Sequence, residues 1–343
     1  MPWDTHRTAD GVTMPYAPPV PARAARVDWP VSFGQRFIVT IDTEEAFDWS
    51  APFARTGHST EAITALPAAH RRFAEAGVPL IYLVDYPIAT DPRAGDIFRT
   101  LLGDGVSSIG AQLHPWVNPP FDEPLSPANS FAGNLPPALE AAKLDDLGEA
   151  IARVTGGAPR IYRAGRYGIG PNTLGLLAAR GYRVDSSMRA GYDYRGKGGP
   201  DFGAIGNAPF RCGPGDALIE LPLTTVYTGR WRAGGEPRYR RLGRLPRAIG
   251  LAARMGLLAR VSLTPEAMPL ADALEAVRIA LGEGERLLNL SFHSPSLVPG
   301  NTPYVRSDAD LDRFHRWWGE VLALLAARAA MPVSLAELIA AAG

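Results

Sequence analysis

Short apolar runs alternate with segments of helical periodicity along most of the chain. Between the runs, apolar residues recur at spacings of three and four, as on one face of a helix. Strands alternating with helices predict a parallel sheet with right-handed crossovers, hence an α/β barrel or an open doubly wound sheet. Seven runs have the length and composition of buried strands, and they begin at Arg36, Pro79, Val106, Arg160, Tyr182, Ala217 and Arg286.

Three of the intervening helices have clear start or stop signals. Ser59 is a candidate N-cap for a helix that ends at Gly77, and His70 lies on its apolar face as a structural residue. A second helix is predicted over 171–180. A third begins at Ser307 with a capping-box pattern and continues as an apolar stripe at helical spacing.

The distribution of Gly and Pro suggests one large domain with two extensions. The Pro-rich, aperiodic residues 1–35 predict an extended arm, and the domain begins at Arg36 and continues to Gly343. The segment 189–265 has many glycines and few periodic positions. We expect it to be a long insertion that decorates one face of the domain.

Composition excludes several classes of protein. The 343 residues carry 35 basic and 35 acidic side chains, so the overall charge gives no reason to expect a nucleic-acid partner. Cys212 is the single cysteine and cannot form an internal disulfide. No secretory signal pattern and no apolar run of membrane-spanning length is present, so we expect a soluble protein of the cytoplasm.

One region is locally basic. Between Arg230 and Arg260 there are nine arginines, one acidic residue, Glu236, and several interleaved apolar residues. This pattern suits binding of the phosphate of a lipid-linked or nucleotide-linked glycan, or peripheral contact with an anionic membrane. A helix face exposed to solvent is the alternative interpretation.

Polar residues stand where predicted strands end. Asp42 and Glu44 end the first strand, and His114, Arg163 and His293 lie at or just after three later strands. The carboxyl ends of parallel strands meet on one face of a barrel or sheet, so these side chains are expected to form a single site.

The spacing of these residues suggests a metal. Asp42 and Glu44 are two apart, as are Gln112 and His114, which places each pair on one side of an extended chain. Oxygen and imidazole ligands with a bound water suit a catalytic divalent cation such as zinc. A solvated loop start for the acidic residues and a buried structural role for His114 remain open.

Two further residues have candidate roles. Arg163 can hold a carboxylate in place by a bidentate ion pair, although a purely structural salt bridge is equally consistent with the sequence. His293 follows a buried strand, where an imidazole can protonate a leaving group. No G-x-S-x-G elbow and no phosphate-binding P-loop occurs, which excludes those two reaction classes.

Six sequence blocks together resemble the polysaccharide deacetylase superfamily, specifically its WalW-like branch. The resemblance runs from about Arg36 to the final helices and is weakest over 189–265. The blocks are TIDTEEAFDW from Thr40, YLVDYP from Tyr82, GAQLHPWVNPPF from Gly110, YRAGRYG from Tyr162, VDSSM from Val184 and FHSPSLVPGNTPYVR from Phe292.

The resemblance implies a NodB-like deformed (β/α) barrel that removes N-acetyl, or less often O-acetyl, groups from sugars with a divalent metal. It places the general base on Asp42, which Arg163 would tether, and the general acid on His293. The implied metal ligands are Glu44, His114 and Gln112, with zinc as the expected metal. We expect substrate contacts from Trp116, Arg166, Tyr167 and Glu45.

One position departs from the family pattern. Members of this branch usually have histidine where this chain has Gln112, and an amide oxygen is a weaker zinc ligand than imidazole. The expected function is a carbohydrate deacetylase, a hydrolase of carbon–nitrogen bonds other than peptide bonds. A glycan-binding pseudoenzyme is the first alternative. A glycosidase using Asp42 or Glu44 with Glu45 or Asp48 is the second.

Overall fold

The computed structural model describes residues 15–245 and 247–343. The first fourteen residues of the predicted N-terminal arm lie outside the described part of the chain. The rest of the arm runs across the domain, where the carbonyl of Pro209 accepts a hydrogen bond from the Val27 amide at 2.9 Å. Trp29 and Phe33 of the arm are buried and stack on each other at 4.2 Å.

Eleven strands are described, and nine of them form one sheet. The sheet has the order β10-β1-β2-β3-β4-β5-β7-β6, with β11 also paired to β1, and all its pairings are parallel except that of β6 with β7. Strands β8 and β9 form a separate antiparallel ribbon. The strands are β1 (Arg36–Thr43), β2 (Leu80–Val84), β3 (Ser108–Leu113), β4 (Ile161–Ala164), β5 (Val184–Asp185), β6 (Phe210–Cys212), β7 (Leu218–Glu220), β8 (Thr225–Thr228), β9 (Ala259–Ser262), β10 (Leu287–His293) and β11 (Met331–Pro332).

Ten α-helices are described, and most of them connect consecutive strands. They are α1 (Leu66–Glu75), α2 (Tyr86–Ala89), α3 (Ala94–Leu101), α4 (Pro137–Thr155), α5 (Thr173–Ala179), α6 (Gly235–Gly243), α7 (Ala248–Arg254), α8 (Leu270–Gly282), α9 (Asp308–Ala327) and α10 (Leu335–Ala342). Within the described residues, no helix combines the length and the apolar character needed to cross a bilayer.

The two faces of the sheet are buried differently. The outer face packs against α1, α3, α4, α8 and α9 and forms the larger apolar core. At the amino ends of the strands, the inner face packs against Trp29 and Phe33 of the arm and Leu338 of α10. Side chains of a strand alternate between faces, so Ile38 shares the inner face with Thr40 and Asp42. The inner face therefore changes from apolar to polar toward the carboxyl ends of the strands.

The barrel is closed by a few side-chain and backbone hydrogen bonds instead of a continuous ladder. Between β10 and the chain after β7, the Asn289 amide group donates to the Leu221 carbonyl at 3.0 Å, and the Asn289 backbone amide donates to the Thr224 hydroxyl at 2.8 Å. The Ser291 amide donates to the Leu263 carbonyl at 3.2 Å. The architecture is therefore a deformed α/β barrel of mainly parallel strands.

All seven predicted strands are confirmed, as β1, β2, β3, β4, β5, β7 and β10. The helix predicted from Ser59 begins with a 3-10 turn and becomes α-helical at Leu66, and the Ser307 capping box of α9 is present. His70 is structural, since its Nδ1 lies 2.9 Å from the Tyr82 hydroxyl.

The segment 189–265 is only partly an insertion. Its β6 and β7 belong to the main sheet, whereas β8, α6, α7 and β9 lie outside it. The strands in this segment have three or four residues, which is too short to produce a periodic signal in the sequence. The part outside the sheet covers one side of the barrel opening, as the contacts of Ser262 with Arg189 and Tyr192 show.

The buried Glu140 of α4 predicts a pH-dependent stability. Its Oε1 accepts a hydrogen bond from the Thr173 hydroxyl at 2.5 Å, and burial raises the pKa of Glu140 to about 7. The folded state therefore keeps a proton that the unfolded state releases above its ordinary pKa of 4.5, so stability falls as pH rises from about 4.5 to about 7.

Glu140→Gln keeps an acceptor for Thr173 and removes this titration. At pH 8 the variant is expected to exceed the parent by about 3 kcal/mol in free energy of unfolding, and at about pH 4 the difference should nearly vanish. Urea unfolding at both pH values measures this, with the exposed Glu149→Gln on the same helix as control. An equal difference at both pH values would contradict it.

Candidate active site

The polar end of the inner face brings together residues from four strands. In the sheet register, Asp42 of β1 lies beside His293 of β10, and Gln112 of β3 lies beside Arg163 of β4. Register neighbours in a parallel pair project to the same face. Asp42, Gln112, Arg163 and His293 therefore lie at the same end of the inner face.

Arg163 is completely buried and is held from three sides. Its Nη1 donates to Asp42 Oδ1 in a short ion pair, its Nη2 donates to the Thr40 hydroxyl at 2.9 Å, and its Nε donates to the Ser186 carbonyl at 2.9 Å. Asp42 is also buried, so its charge is balanced by Arg163 alone on that side. The carboxylate thus has a fixed position and keeps Oδ2 directed toward His293, whose Nε2 lies 3.6 Å away.

Glu44 lies beside Gln112 and His114, as the sequence predicts. Its Oε2 accepts a hydrogen bond from Gln112 Nε2 at 3.1 Å and lies 3.5 Å from His114 Nε2. Ser294 Oγ accepts a hydrogen bond from the Glu44 backbone amide at 3.2 Å, which ties this loop to β10. Burial raises the pKa of Glu44 to about 8, and the charges of His293 and His114 oppose this only in part.

His114 is held on its other side by Glu45. Its Nδ1 lies 2.9 Å from Glu45 Oε2, and Glu45 Oε1 accepts a hydrogen bond from Trp116 Nε1 at 3.0 Å. The Trp116 ring stacks on the His114 ring at 4.3 Å. Glu45 and Trp116, predicted to contact substrate, are thus both buried against His114.

Gly165 permits this approach to His114. A Cβ at this position would lie 2.3 Å from His114 Cδ2 and 2.7 Å from the Leu113 carbonyl oxygen, so any larger residue would displace the imidazole. Gly165, the first glycine of the YRAGRYG block, is therefore required by packing at the site.

Asp85, at the end of β2, completes this cluster. Its Oδ2 accepts a hydrogen bond from the Glu45 amide at 2.8 Å and its Oδ1 caps α2 through the Ile88 amide at 2.9 Å. Burial, followed by the charge of Glu45, raises the pKa of Asp85 well above its usual range. Asp85 was not among the predicted site residues, although its place at the end of a strand was a usable signal.

His293 is the most exposed of the central side chains and pairs with Glu266. Its Nδ1 lies 2.6 Å from Glu266 Oε2, and its backbone amide donates to Glu266 Oε1 at 3.0 Å. The Ser296 hydroxyl also donates to Glu266 Oε1, at 2.5 Å. Burial by itself would lower the pKa of His293, but the carboxylates of Glu266, Glu44 and Asp42 outweigh it and raise that pKa well above its usual value.

Glu266 was not among the predicted site residues. It lies just after β9, beyond a segment whose short strands left no periodic pattern, so nothing in the sequence placed it beside His293. An isolated acid between two prolines is an ordinary loop feature.

A cavity of about 70 Å³ opens beside His293 and Glu266. Tyr167 and Tyr304 are among its lining residues. Arg166 and Tyr167 both have positive φ, 56° and 61°, which is uncommon for residues other than glycine. The Arg166 guanidinium stacks over Phe131 at 4.1 Å and bonds the Ser130 hydroxyl, so of these two predicted substrate contacts only Tyr167 lines the cavity.

The residues beside Glu44 fit a divalent cation. Gln112 Oε1 is buried and, among the described residues, has no hydrogen-bond partner. His114 Nδ1 faces a carboxylate while its Nε2 faces Glu44, which is the usual arrangement around a metal-bound histidine. Two groups of potential ligands are close enough to share an ion, namely Asp42, Glu44 and His293, and Glu45, Asp85 and His114.

Replacing Arg163 is expected to destabilise the fold. Arg163→Met leaves Asp42 buried without its counter-charge, so the free energy of unfolding should fall by about 3–5 kcal/mol. Urea unfolding of this variant and of Arg153→Met, an exposed arginine of α4, measures the difference. A loss below about 1 kcal/mol for Arg163→Met would show that Asp42 does not depend on the pair.

No protein-family model matches the chain, and no curated protein matches it either. Solved structures do match its fold. A candidate polysaccharide deacetylase from Mycobacterium smegmatis is 18% identical, with 93% of this chain and 93% of that chain covered and a TM-score of 0.53. A candidate polysaccharide deacetylase from Pseudomonas aeruginosa PAO1 is 14% identical, with 92% and 93% covered and a TM-score of 0.47.

A 4-alpha-glucanotransferase from Thermococcus litoralis is 11% identical, and 90% of this chain is covered at a TM-score of 0.50. The match spans only 40% of that longer chain. One barrel therefore accommodates different reactions, and at these identities the likeness concerns the fold. The WalW-like branch stays a prediction from the sequence blocks. The chain has the deformed, NodB-like barrel fold of the polysaccharide deacetylases.

Proposed function

We propose that this protein is a metal-dependent hydrolase that removes acetyl groups, N-acetyl in preference to O-acetyl, from a sugar or a polysaccharide precursor. The observation that carries the proposal is the arrangement at the open end of the barrel. There a buried carboxylate held by arginine, a glutamate beside a glutamine and a histidine, and a histidine paired with a carboxylate lie close together. The cytoplasm stays the predicted location.

Glu44, His114 and Gln112 would hold the divalent cation, for which zinc is our proposal. Glu45 would act as a positioning residue, since its contact with His114 Nδ1 at 2.9 Å leaves Nε2 directed toward Glu44. When bound there, the metal supplies a Lewis acid for the acetyl carbonyl oxygen and lowers the pKa of a coordinated water.

Asp42 is proposed as the general base. The pairing with Arg163 fixes one carboxylate oxygen and leaves the other free to accept a proton from the attacking water. The water oxygen forms a bond to the acetyl carbon, the carbon–nitrogen bond then breaks, and the products are acetate and the free amine. Because Asp42 is buried, its geometry does not depend on solvent.

His293 is proposed as the general acid that protonates the departing nitrogen. Glu266 would position it, since its carboxylate binds both the ring Nδ1 and the backbone amide of His293. This leaves Nε2, which faces Asp42, as the nitrogen that delivers the proton. Tyr167 would contact the sugar from the cavity wall, whereas Trp116 and Arg166 would shape the opening from beneath.

A pseudoenzyme that binds a glycan without turnover is the second candidate, and Gln112 is the observation that favours it. A neutral amide oxygen binds zinc more weakly than an imidazole nitrogen does. A glycosidase is less consistent with the site, because Asp48 is exposed and is engaged by Ser50.

Acetate release from a panel of N-acetylated sugars tests the enzyme against the pseudoenzyme. The purified protein should release acetate, and a chelator should abolish this until zinc is restored. Asp42→Asn and His293→Ala should each lower kcat/KM by about 10²–10⁴-fold, since each removes one proton-transfer group. His315→Ala on α9 is the control and should keep full activity.

Absence of acetate release from every sugar, with glycan binding retained, would support the pseudoenzyme instead. Full activity of either variant would remove that residue from the mechanism.

We further propose that helices α6 and α7 make peripheral contact with an anionic membrane, where a lipid-linked glycan would be the substrate. The segment 230–260 contains nine arginines and a single acidic residue, Glu236. Among the described residues, two of these arginines, Arg232 and Arg240, form ion pairs. Leu245, Leu251 and Met255 are each about 60% exposed. Exposed apolar side chains among arginines are typical of a membrane-surface helix.

Cosedimentation with vesicles tests this contact. Vesicles containing phosphatidylglycerol should bind the protein, and vesicles of phosphatidylcholine alone should not, with weaker binding as salt increases. Leu251→Gln with Met255→Gln should reduce the binding, while Val106→Gln, an exposed apolar control elsewhere, should not. Absence of binding to both kinds of vesicle would instead indicate a solvent-exposed helix face.

A further inference from the structure

Arg189 lines the cavity beside His293 and Glu266, and the proposed mechanism does not use it. Arg163, which also lies at this end of the barrel, is neutralised by Asp42. Arg189 forms no ion pair with any acidic residue in the described part of the chain. A guanidinium that is half-buried next to a reaction centre without a counter-ion requires an explanation.

The contacts of Arg189 fix its position but leave donors unused. Its Nη2 donates to the Ser262 hydroxyl at 2.6 Å, and its Nη1 approaches the Tyr194 hydroxyl at 3.5 Å. Its Nε is buried and, within residues 15–245 and 247–343, has no hydrogen-bond partner. A guanidinium has about five N–H donors, so most of its capacity is available to a ligand.

Aromatic rings hold the guanidinium rigidly. Its central carbon lies 3.9 Å from the ring centre of Tyr192 and 5.5 Å from that of Tyr167. Such stacking orients the plane of the guanidinium without neutralising its charge. The donor edge of Arg189 is therefore preorganised, which lowers the entropic cost of binding a ligand.

A second arginine increases the local positive charge. Arg260 stacks on the same Tyr192 ring at 3.5 Å and donates to the Gly191 carbonyl at 2.9 Å, again without an acidic partner among the described residues. Burial would raise the pKa of Tyr192, but Arg189 and Arg260 outweigh it, and that pKa is lowered. The potential on this side of the cavity is thus positive.

Glu266, the carboxylate that lines the cavity in the described part of the chain, is already engaged. It is bound by His293, Ser296 and its own neighbour Thr264, and so it does not serve as the counter-ion of Arg189. Among the described residues, the other groups on this side that can carry a negative charge are the tyrosines at positions 167, 192, 194 and 304. A negative charge that balances Arg189 must therefore come with the ligand.

We infer that Arg189 binds a carboxylate of the substrate, so that the preferred substrate is an acidic, N-acetylated sugar. This rests on the proposed function, and it names the substrate class for the same site. The planar guanidinium matches a carboxylate in size and geometry. Arg189 lines the same cavity as His293, so the charged group belongs to the reacting sugar or to its immediate neighbour.

Binding and turnover of a matched pair of sugars test this inference. The pair is an N-acetylhexosamine oligosaccharide and the same oligosaccharide with its primary alcohols oxidised to carboxylates. The parent protein should bind the acidic member about 10- to 100-fold more tightly by calorimetry, with a matching preference in kcat/KM. Arg189→Met should remove the preference while leaving binding of the neutral member within about twofold.

Calorimetry separates this inference from the proposed function, because binding is measured whether or not acetate is released. Tighter binding of the acidic member without acetate release would support the role of Arg189 in binding a carboxylate and would contradict the proposed deacetylase activity. Arg189→Gln is the second variant, since it can keep the bond to Ser262 and still lacks the charge. Arg195→Met is the control, as this arginine of the same segment is paired with Asp193 and Asp201.

Three results would overturn the inference. The first is equal binding of both sugars by the parent protein, and the second is an equal loss of affinity for both sugars in the Arg189 variants. The third is tighter binding of a phosphorylated N-acetylhexosamine than of the carboxylate, which would assign the site to phosphate.

Discussion

A guanidinium buried inside a barrel requires a negatively charged partner in direct contact, and this constraint organises the polar end of the protein. Arg163 reaches from β4 across the interior to Asp42 and Thr40 of β1, and on its other side it bonds Ser186. Asn289 also donates to Ser186 Oγ, at 3.0 Å, and thereby connects the pair to the strand that closes the barrel. A buried pair of this kind contributes little net stability, but losing either partner is costly, so its geometry is strongly maintained.

Two histidines extend from this centre, and each is held by a carboxylate on the side away from it. Glu45 holds His114 and Glu266 holds His293, so in both rings Nδ1 is engaged and Nε2 points inward. The orientation of an imidazole decides which nitrogen can bind a metal or move a proton. The same arrangement at both positions leaves the space between Asp42, Glu44 and the two Nε2 atoms for chemistry.

The barrel alone does not select a reaction, since a glucanotransferase and a candidate deacetylase share it with this chain. Function and specificity therefore depend on side chains added to the scaffold. The segment from β8 to β9 contributes to this set of side chains. It places Ser262 against Arg189, and the chain that follows it carries Glu266. The helices of the segment expose apolar and basic side chains to solvent. A short-stranded, loop-rich segment can vary in this way without disturbing the core.

Local patterns in the sequence predict the alternation of strands and helices, the seven strands listed above, and the position of Asp42, Arg163 and His293 at strand ends that share one face. These follow from local periodicity and from the rule that parallel strands end on one face. Three features become visible only in the folded chain: Glu45 supports His114, Glu266 pairs with His293, and Arg189 has no counter-ion among the described residues. These features depend on contacts between residues 27 to 73 positions apart, and on burial, which a short irregular segment does not encode in its pattern of apolar residues.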